Sequence, residues 1–331
     1  MKRRISLATS LLLGLASLSL AQADQLEVHD PTMARDHGTY YVFSTGPGIT
    51  VYSSPDMVHW RYSDRVFATE PDWATDVAPD FDGNLWAPDI VKQNGKYYLY
   101  YSVSAFGQNT SGIGVATNAT LNPKARNYQW VDQGIVIQSD PDQDNWNAID
   151  PAVTRDEDGT PWMAFGSFWG GLKLVRLNPN LTSVAEPQEW YDLATRPGVT
   201  YNPIEAAFIF KKGPYYYLFA SFDFCCQGVD STYKIMVGRS HNIQGPYYDK
   251  DGVSMLEGGG SLVLGGNDDW AALGHNAVYT FGHKDYMVFH AYETADDGIQ
   301  KLRILQVHWR DGWPEVNEED LNTNTTVLLE D

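Results

Sequence analysis

The chain has 331 residues, of which 42 are acidic and 23 basic, and its formal net charge is −19. A chain this acidic is excluded as a binder of nucleic acid or anionic lipid, so its ligand is neutral or cationic. Aromatic residues make up 13% of it, with 11 Trp and 20 Tyr; strand propensity and core filling absorb most of them.

Lys2, Arg3 and Arg4 open the chain, and residues 5–20 form an apolar stretch without charge. Ala21-Gln22-Ala23 follows as a small-x-small cleavage triplet, so residues 1–23 read as a secretory signal peptide. The apolar run is short for a membrane span, and no later segment is apolar for long enough. Loss of the three basic residues takes the formal charge from −19 to about −22. Residues 24–331 remain as one domain, expected outside the cell or in the periplasm.

Strand signals in that domain are short and separated by turn residues every eight to twelve positions. They fall into five groups. The first predicts strands at 32–35, 40–45, 49–53 and 60–66, with Asp56 and His59-Trp60 as punctuation after an outer strand. The second predicts 90–93, 97–103, 113–117 and a segment near Trp130. The third predicts 152–155, 161–167 and 171–176, the fourth 207–211, 215–222 and 233–240, and the fifth 277–281, 285–293 and 302–307.

Each group opens on a similar motif, followed by a turn and an aromatic burst. The openings are His29-Asp30-Pro31, Trp86-Ala87-Pro88-Asp89, Ile149-Asp150-Pro151, Ile204-Glu205-Ala206 and Gly274-His275-Asn276. Such self-similarity is the mark of a repeat array or propeller. The fold class is therefore all-β: a five-bladed β-propeller with four-stranded antiparallel blades around a central channel. A two-sheet sandwich would not explain five equal units, and a parallel β-helix needs much shorter repeats. The irregular stretches 70–85, 141–147 and 258–271 are expected to wall a cleft. The two cysteines, Cys225 and Cys226, are adjacent; they form a vicinal disulfide or stay as two thiols in a tight loop.

A closed ring brings the first strand of every blade to one axis. Asp30, Asp150 and Glu205 then meet at one mouth, at the matching place in three blades. Buried carboxylates are costly unless paired or used. Three of them on one channel point to hydrolysis of a glycosidic bond. One carboxylic acid protonates the leaving oxygen; a second carboxylate activates water or attacks the anomeric carbon. A third raises the pKa of the acid by repulsion. Asp89 is displaced behind Trp-Ala-Pro and reads as structural.

The ordered set of motifs, with Trp146-Asn147-Ala148-Ile149-Asp150-Pro151 and Gly166-Ser167-Phe168-Trp169 added, resembles glycoside hydrolase family 43. The stretch 222–228, Phe-Asp-Phe-Cys-Cys-Gln-Gly, followed by Ser231-Thr232-Tyr233, is similar to its endo-1,5-α-L-arabinanase branch. Ala207 departs from the proline that many relatives carry after Glu-Ala. The resemblance implies an inverting mechanism, with Asp30 as general base, Glu205 as general acid and Asp150 as the residue that raises the acid's pKa. It implies linear arabinan as substrate, cut internally, and a calcium ion in the channel that His275 contacts largely through waters. Trp86, Phe106 and Trp169 are then the candidate platforms for furanose rings. His29, Asn147 and Ser167 are the candidate polar contacts. The chain is expected to act as a monomer. The alternatives are an exo-acting arabinofuranosidase or β-xylosidase of the same family, and a sugar-binding propeller without catalysis.

Overall fold

The computed structural model describes residues 25–322 and the backbone of 326–327. The expected signal peptide, residues 1–23, lies outside the described residues. Five separate antiparallel sheets form, each in chain order from its first strand to its last, as the blades of a five-bladed β-propeller.

Blade 1 consists of Thr32–Asp36, Thr39–Ser44, Thr50–Ser54 and His59–Arg65. Blade 2 has Asn84–Gln93, Lys96–Val103, Ser111–Asn118 and Val131–Ser139. Blade 3 has Ala152–Arg155, Pro161–Phe165, Leu172–Arg176 and Trp190–Ala194. Ile204–Lys212, Tyr215–Phe222, Lys234–Ser240 and Ser261–Leu264 make blade 4. Trp270–Phe281, Lys284–Glu293, Ile299–Arg310 and Trp313–Glu315 make blade 5. Two-residue turns join the first two strands of blades 1 and 2. His37-Gly38 and Asn94-Gly95 both take positive φ at both positions (47° and 93°, 50° and 76°), the geometry that matches the twist of a hairpin.

The cores lie between blades. Side chains of a strand alternate between its two faces, and here both faces are buried. In blade 2, Tyr97, Leu99, Tyr101 and Val103 pack against Tyr41, Phe43 and Val51 of blade 1. Tyr100, between them, packs against Met163, Phe165 and Val175 of blade 3. Equivalent clusters join blades 3 and 4, 4 and 5, and 5 and 1. The tyrosines reach this core with their hydroxyls paired: Tyr97 donates to Asp36 (2.8 Å), Tyr101 to Asp132 (2.7 Å) and Tyr217 to the Gly312 carbonyl (2.6 Å).

The ring is closed from both ends of the described chain. Leu26 accepts a backbone bond from Leu302 of blade 5 (2.8 Å), and Glu27 bridges Lys301. Thr326–Val327 adds a parallel strand outside His59–Arg65 of blade 1.

Two buried aspartates tie blades together. Asp36 accepts Tyr97 Oη, Thr120 Oγ1 (2.9 Å) and the Leu121 N–H (3.0 Å) of blade 2. Burial works against its charge, but these donors and Lys92 outweigh burial and hold its carboxyl below the usual range. Asp89 links three blades, accepting the Val153 N–H (2.7 Å) and the Thr32 hydroxyl. Burial pushes its carboxyl up to about 7. It stays off the cleft, as its displaced position implies.

Some expected elements differ. The first strands of blades 2, 4 and 5 start earlier than expected, because each continues through a bulge. The fourth strands of blades 3 to 5 are outer and short and carry little apolar alternation, which hides them in the sequence. Stretch 70–85 holds a helical turn, Ala74–Val77, and stretch 258–271 holds a strand. Of the three stretches expected to wall the cleft, only Asn147 reaches it.

Asp36→Ala leaves three buried donors without an acceptor and should cost about 3 kcal/mol in denaturant unfolding. Since the folded carboxyl titrates below the unfolded one, the wild-type advantage should shrink as pH falls below about 4. A loss that ignores pH would assign the effect to packing alone.

Candidate active site

One backbone feature recurs at the mouth of the ring. Asp30, Ala87, Asp150, Ala206 and His275, one per blade, all sit in the left-handed region, with φ of 49°, 45°, 59°, 55° and 54°. For residues other than glycine this costs about 1–3 kcal/mol each and persists only where the surroundings enforce it. Each of these N–H groups donates to a side chain of the preceding blade. Asp30 donates to His290 Nδ1 (3.0 Å), Ala87 to Thr45 Oγ1 (2.8 Å), Asp150 to Ser102 Oγ (3.1 Å) and His275 to Ser221 Oγ (2.8 Å). In blade 3 the matching place is Gly166, which offers no side chain; the Ala206 N–H goes instead to Asp150 Oδ2 (3.1 Å). Gly166 cannot be filled, since its φ is 118° and a Cβ would lie 2.6 Å from the Gly171 carbonyl.

This corrects the phase read from the motifs. Asp30, Asp150 and His275 are equivalent. Glu205 stands one residue earlier, level with His29, Trp86, Ile149 and Gly274. It still reaches the same cleft as Asp30 and Asp150.

Asp30 is buried and held by three neighbours. Its Oδ2 accepts Thr45 Oγ1 (2.6 Å) and lies 2.8 Å from His29 Nδ1; its Oδ1 lies 3.0 Å from His275 Nδ1. Burial raises its pKa, but the fields and hydrogen bonds of His275 and His29 hold it well below the usual carboxylate range. Asp30 is therefore anionic at neutral pH. Burial opposes a charge on His275; Asp30, with Asp150 and Glu205 behind it, overcomes this and pushes the imidazole up to about 9. His290, fully buried, is held well below its usual value and stays neutral, which leaves Nδ1 free to accept the Asp30 N–H.

Glu205 accepts Ser167 Oγ at Oε2 (2.6 Å) and Tyr233 Oη at Oε1 (2.8 Å). Burial and the charges of Glu205 and Asp150 push the Tyr233 phenol well above its usual range, so it remains a donor. Asp150 is pushed up to about 8, by burial first and then by repulsion from Glu205 and Asp30, against the pull of His275. It retains a proton near neutral pH.

These groups open on a cavity of about 990 Å³. Trp86, Phe106, Asn147 and Trp169 line it as expected, with Phe106 82% exposed. Asn147 is buried; its Nδ2 donates to the Gln108 carbonyl, and its Oδ1 has no partner among the described residues. Two expected sugar contacts have other partners. Ser167 donates its hydroxyl hydrogen to Glu205 and keeps only acceptor capacity for a sugar hydroxyl. His29 has both nitrogens engaged, Nδ1 by Asp30 and Nε2 by Tyr292 Oη (2.8 Å). The sequence reading missed Thr45, Tyr233, His290 and Tyr292, which come from later strands of their blades. It also missed the rim residues Tyr201 and Gln227. Cys225 and Cys226 are joined as a disulfide on the cleft wall.

The channel at His275 fits a hydrated cation and not a protein cage. Calcium takes six to eight oxygens, and no group of three or more metal-ligating side chains among the described residues includes His275. The surrounding carboxylates favour positive charge. Both side-chain polar atoms of Asn276 and the Nε2 of His290 are buried without a partner among the described residues, which suits ordered water.

One carboxylate kept anionic and another carboxyl kept protonated, beside a third on the same cleft, is what acid–base cleavage of a glycosidic bond demands. A propeller that presents them is a glycoside hydrolase. The chain belongs to glycosyl hydrolases family 43, whose family model matches residues 25–314. It is 56% identical over 329 residues to the extracellular exo-α-(1→5)-L-arabinofuranosidase ArbA of Cellvibrio japonicus, covering 96% of this chain and 94% of that one. It is 44% identical over 291 residues to the extracellular endo-α-(1→5)-L-arabinanase 1 of Bacillus subtilis, 87% of each chain. Among solved structures, the Cellvibrio cellulosa α-L-arabinanase complexed with arabinohexaose matches with a TM-score of 0.89 at 57% identity, over 92% of this chain and 100% of that one.

Because Asp150 binds its proton more tightly in the folded state, it contributes stability that is lost as pH rises from about 4 through about 8. Asp150→Asn keeps an acceptor for the Ala206 N–H and removes the titration. Its unfolding free energy should therefore fall less steeply than that of the wild type between about pH 5 and 8. Identical slopes would mean that Asp150 is ionised throughout.

Proposed function

We propose that this protein is a secreted, inverting hydrolase of α-1,5-linked arabinan that acts as a monomer. The observation that carries the reading is the carboxylate set: Asp30 anionic, Asp150 protonated, and Glu205 held between two hydroxyl donors on one aromatic-lined cleft. The names of the two relatives and of the arabinohexaose complex supply the substrate class, and the relatives' extracellular naming agrees with the leader-like first residues.

In this reading a water beside Asp30 attacks the anomeric carbon and gives its proton to the carboxylate. Glu205 gives a proton to the departing arabinose oxygen, and the sugar inverts. Burial and repulsion from Glu205 and Asp30 keep a proton on Asp150 near neutral pH. Thr45, His29 and His275 fix the base; Ser167 and Tyr233 fix the acid. Trp86, Phe106 and Trp169 offer faces for furanose rings, with Asn147 on the same wall.

The first reading of cutting mode is internal. A specific observation favours a second reading, release of a fixed product from a chain end: the relative at 56% identity is named as exo-acting and the one at 44% as endo-acting.

A calcium ion held through water at His275 would add positive charge beside three carboxylates, in the role that the imidazolium proton plays without it. Asp30 and His275 already form a complete pair, so the mechanism above needs no such ion for its proton transfers.

On debranched linear arabinan, mixed oligosaccharides with a fast fall in viscosity would establish internal cutting. A single short product from the first time point would establish chain-end cutting. Asp30→Ala and Glu205→Ala should each lose about 10²–10⁴-fold of this activity. An aryl arabinoside whose leaving group needs no proton should restore Glu205→Ala alone. Equal restoration of both would reverse or remove the assignment.

Dialysis against a chelator should lower the melting temperature of the wild type, with recovery on added calcium, and His275→Ala should not respond. A wild type indifferent to chelator would remove calcium from the account.

A further inference from the structure

The cleft wall carries two cysteines that hydrolysis does not use. Cys225 and Cys226 sit on the loop after Tyr215–Phe222, bonded to each other, with Cys226 exposed. Cys226 Sγ lies 3.8 Å from His29 Nε2. One ligand atom each from His29, Cys225 and Cys226 falls within 4.8 Å of the others. We propose that reduction of the Cys225–Cys226 disulfide creates a Cys₂His site for a thiophilic metal such as zinc or cadmium, and that occupancy of this site switches off the neighbouring base.

The His29–Cys226 spacing meets one demand of such an ion, and reduction frees the two sulfurs to part. Tetrahedral zinc with Zn–S near 2.3 Å and Zn–N near 2.0–2.1 Å sets sulfur and nitrogen about 3.6 Å apart, close to the observed separation. Asp30 can only accept, so His29 carries its hydrogen on Nδ1 and directs the Nε2 lone pair away from Asp30, toward Cys226 and Tyr292. Tyr292 Oη accepts the Cys226 N–H (3.0 Å) and donates to that lone pair; a metal would take its place. A carboxylate behind a ligating imidazole is the usual outer partner of zinc-binding histidines, fixing the ring and raising its basicity. Two thiolates and one imidazole select soft and borderline ions over calcium or magnesium. The fourth position faces the cleft.

The redox step balances with a phosphine. The S–S bond takes two electrons and, with water, the phosphine becomes its oxide while two thiols form. Metal binding then releases the thiol protons. The ion draws on the Asp30–His29 pair and blocks the cleft beside it, so occupancy inhibits.

The test uses the mature protein, reduced with a water-soluble phosphine, freed of reductant without oxygen, and titrated with Cd²⁺. One Cd²⁺ per chain should bind, with thiolate-to-cadmium charge-transfer absorption. Hydrolysis of arabinan, or of the aryl arabinoside if arabinan is not cut, should fall at least about tenfold and recover with chelator. The oxidised protein and the double variant Cys225→Ser, Cys226→Ser should show neither effect. His29→Gln, read by Cd²⁺ affinity alone, should bind at least about tenfold more weakly. The proposal is overturned if reduced protein binds no Cd²⁺, if oxidised protein is inhibited equally, or if His29→Gln binds as tightly as the wild type. Absorption reports the site whether or not arabinan is the substrate, so a wrong substrate and a wrong metal site give different results.

Discussion

The whole site depends on five left-handed residues whose N–H groups are taken by the preceding blade. A lone residue with positive φ is a local cost. Here the cost is offset by a hydrogen bond across each blade boundary, so the ring and the site enforce each other. Four boundaries use an ordinary side chain, from Thr45, Ser102, Ser221 or His290. The fifth uses Asp150, because Gly166 has nothing to offer. Asp150 thus joins two jobs. The oxygen that anchors the backbone beside Glu205 belongs to the carboxyl whose proton answers to the charge of Glu205.

Electrostatics divides the cleft into two halves with opposite habits. Around Asp30 the neighbours are imidazoles, and the carboxyl stays anionic despite full burial. Around Glu205 the neighbours are a second carboxyl and two hydroxyls, which satisfy an oxygen without adding charge. Like side chains thus stand in unlike surroundings, set by what lies within about 3 Å of each.

Much of this was legible in the sequence because repetition is a long-range signal. The five motifs located the blades, and in a closed ring they placed Asp30 and Asp150 together without any contact being known. The phase of Glu205 was misaligned rather than hidden. The bulge after Glu205 is the one that blades 2 and 5 also carry, and Ala207, at the place of Pro31, Pro88 and Pro151, sets Glu205 one residue ahead of Asp30 and Asp150. Thr45, Tyr233, His290 and Tyr292, by contrast, were hidden. They sit on, or within one residue of, second and third strands, where a buried tyrosine or histidine looks like core until its partner is known. For His29 and Ser167 the sequence suggested sugar contacts, and only the distances show that they also hold Asp30 and Glu205.

The Asp30 N–H is bonded to His290, and His290 lies on the second strand of the last blade. Asp30, met near the beginning of the chain, is therefore seated by a strand close to the end of the described residues. A ring with only the first four blades in place would hold Trp86, Asp150 and Glu205 yet leave Asp30 with His29 alone, without His275 and His290. On the proposed roles, the site is complete only when the ring is closed, not when any one blade is formed.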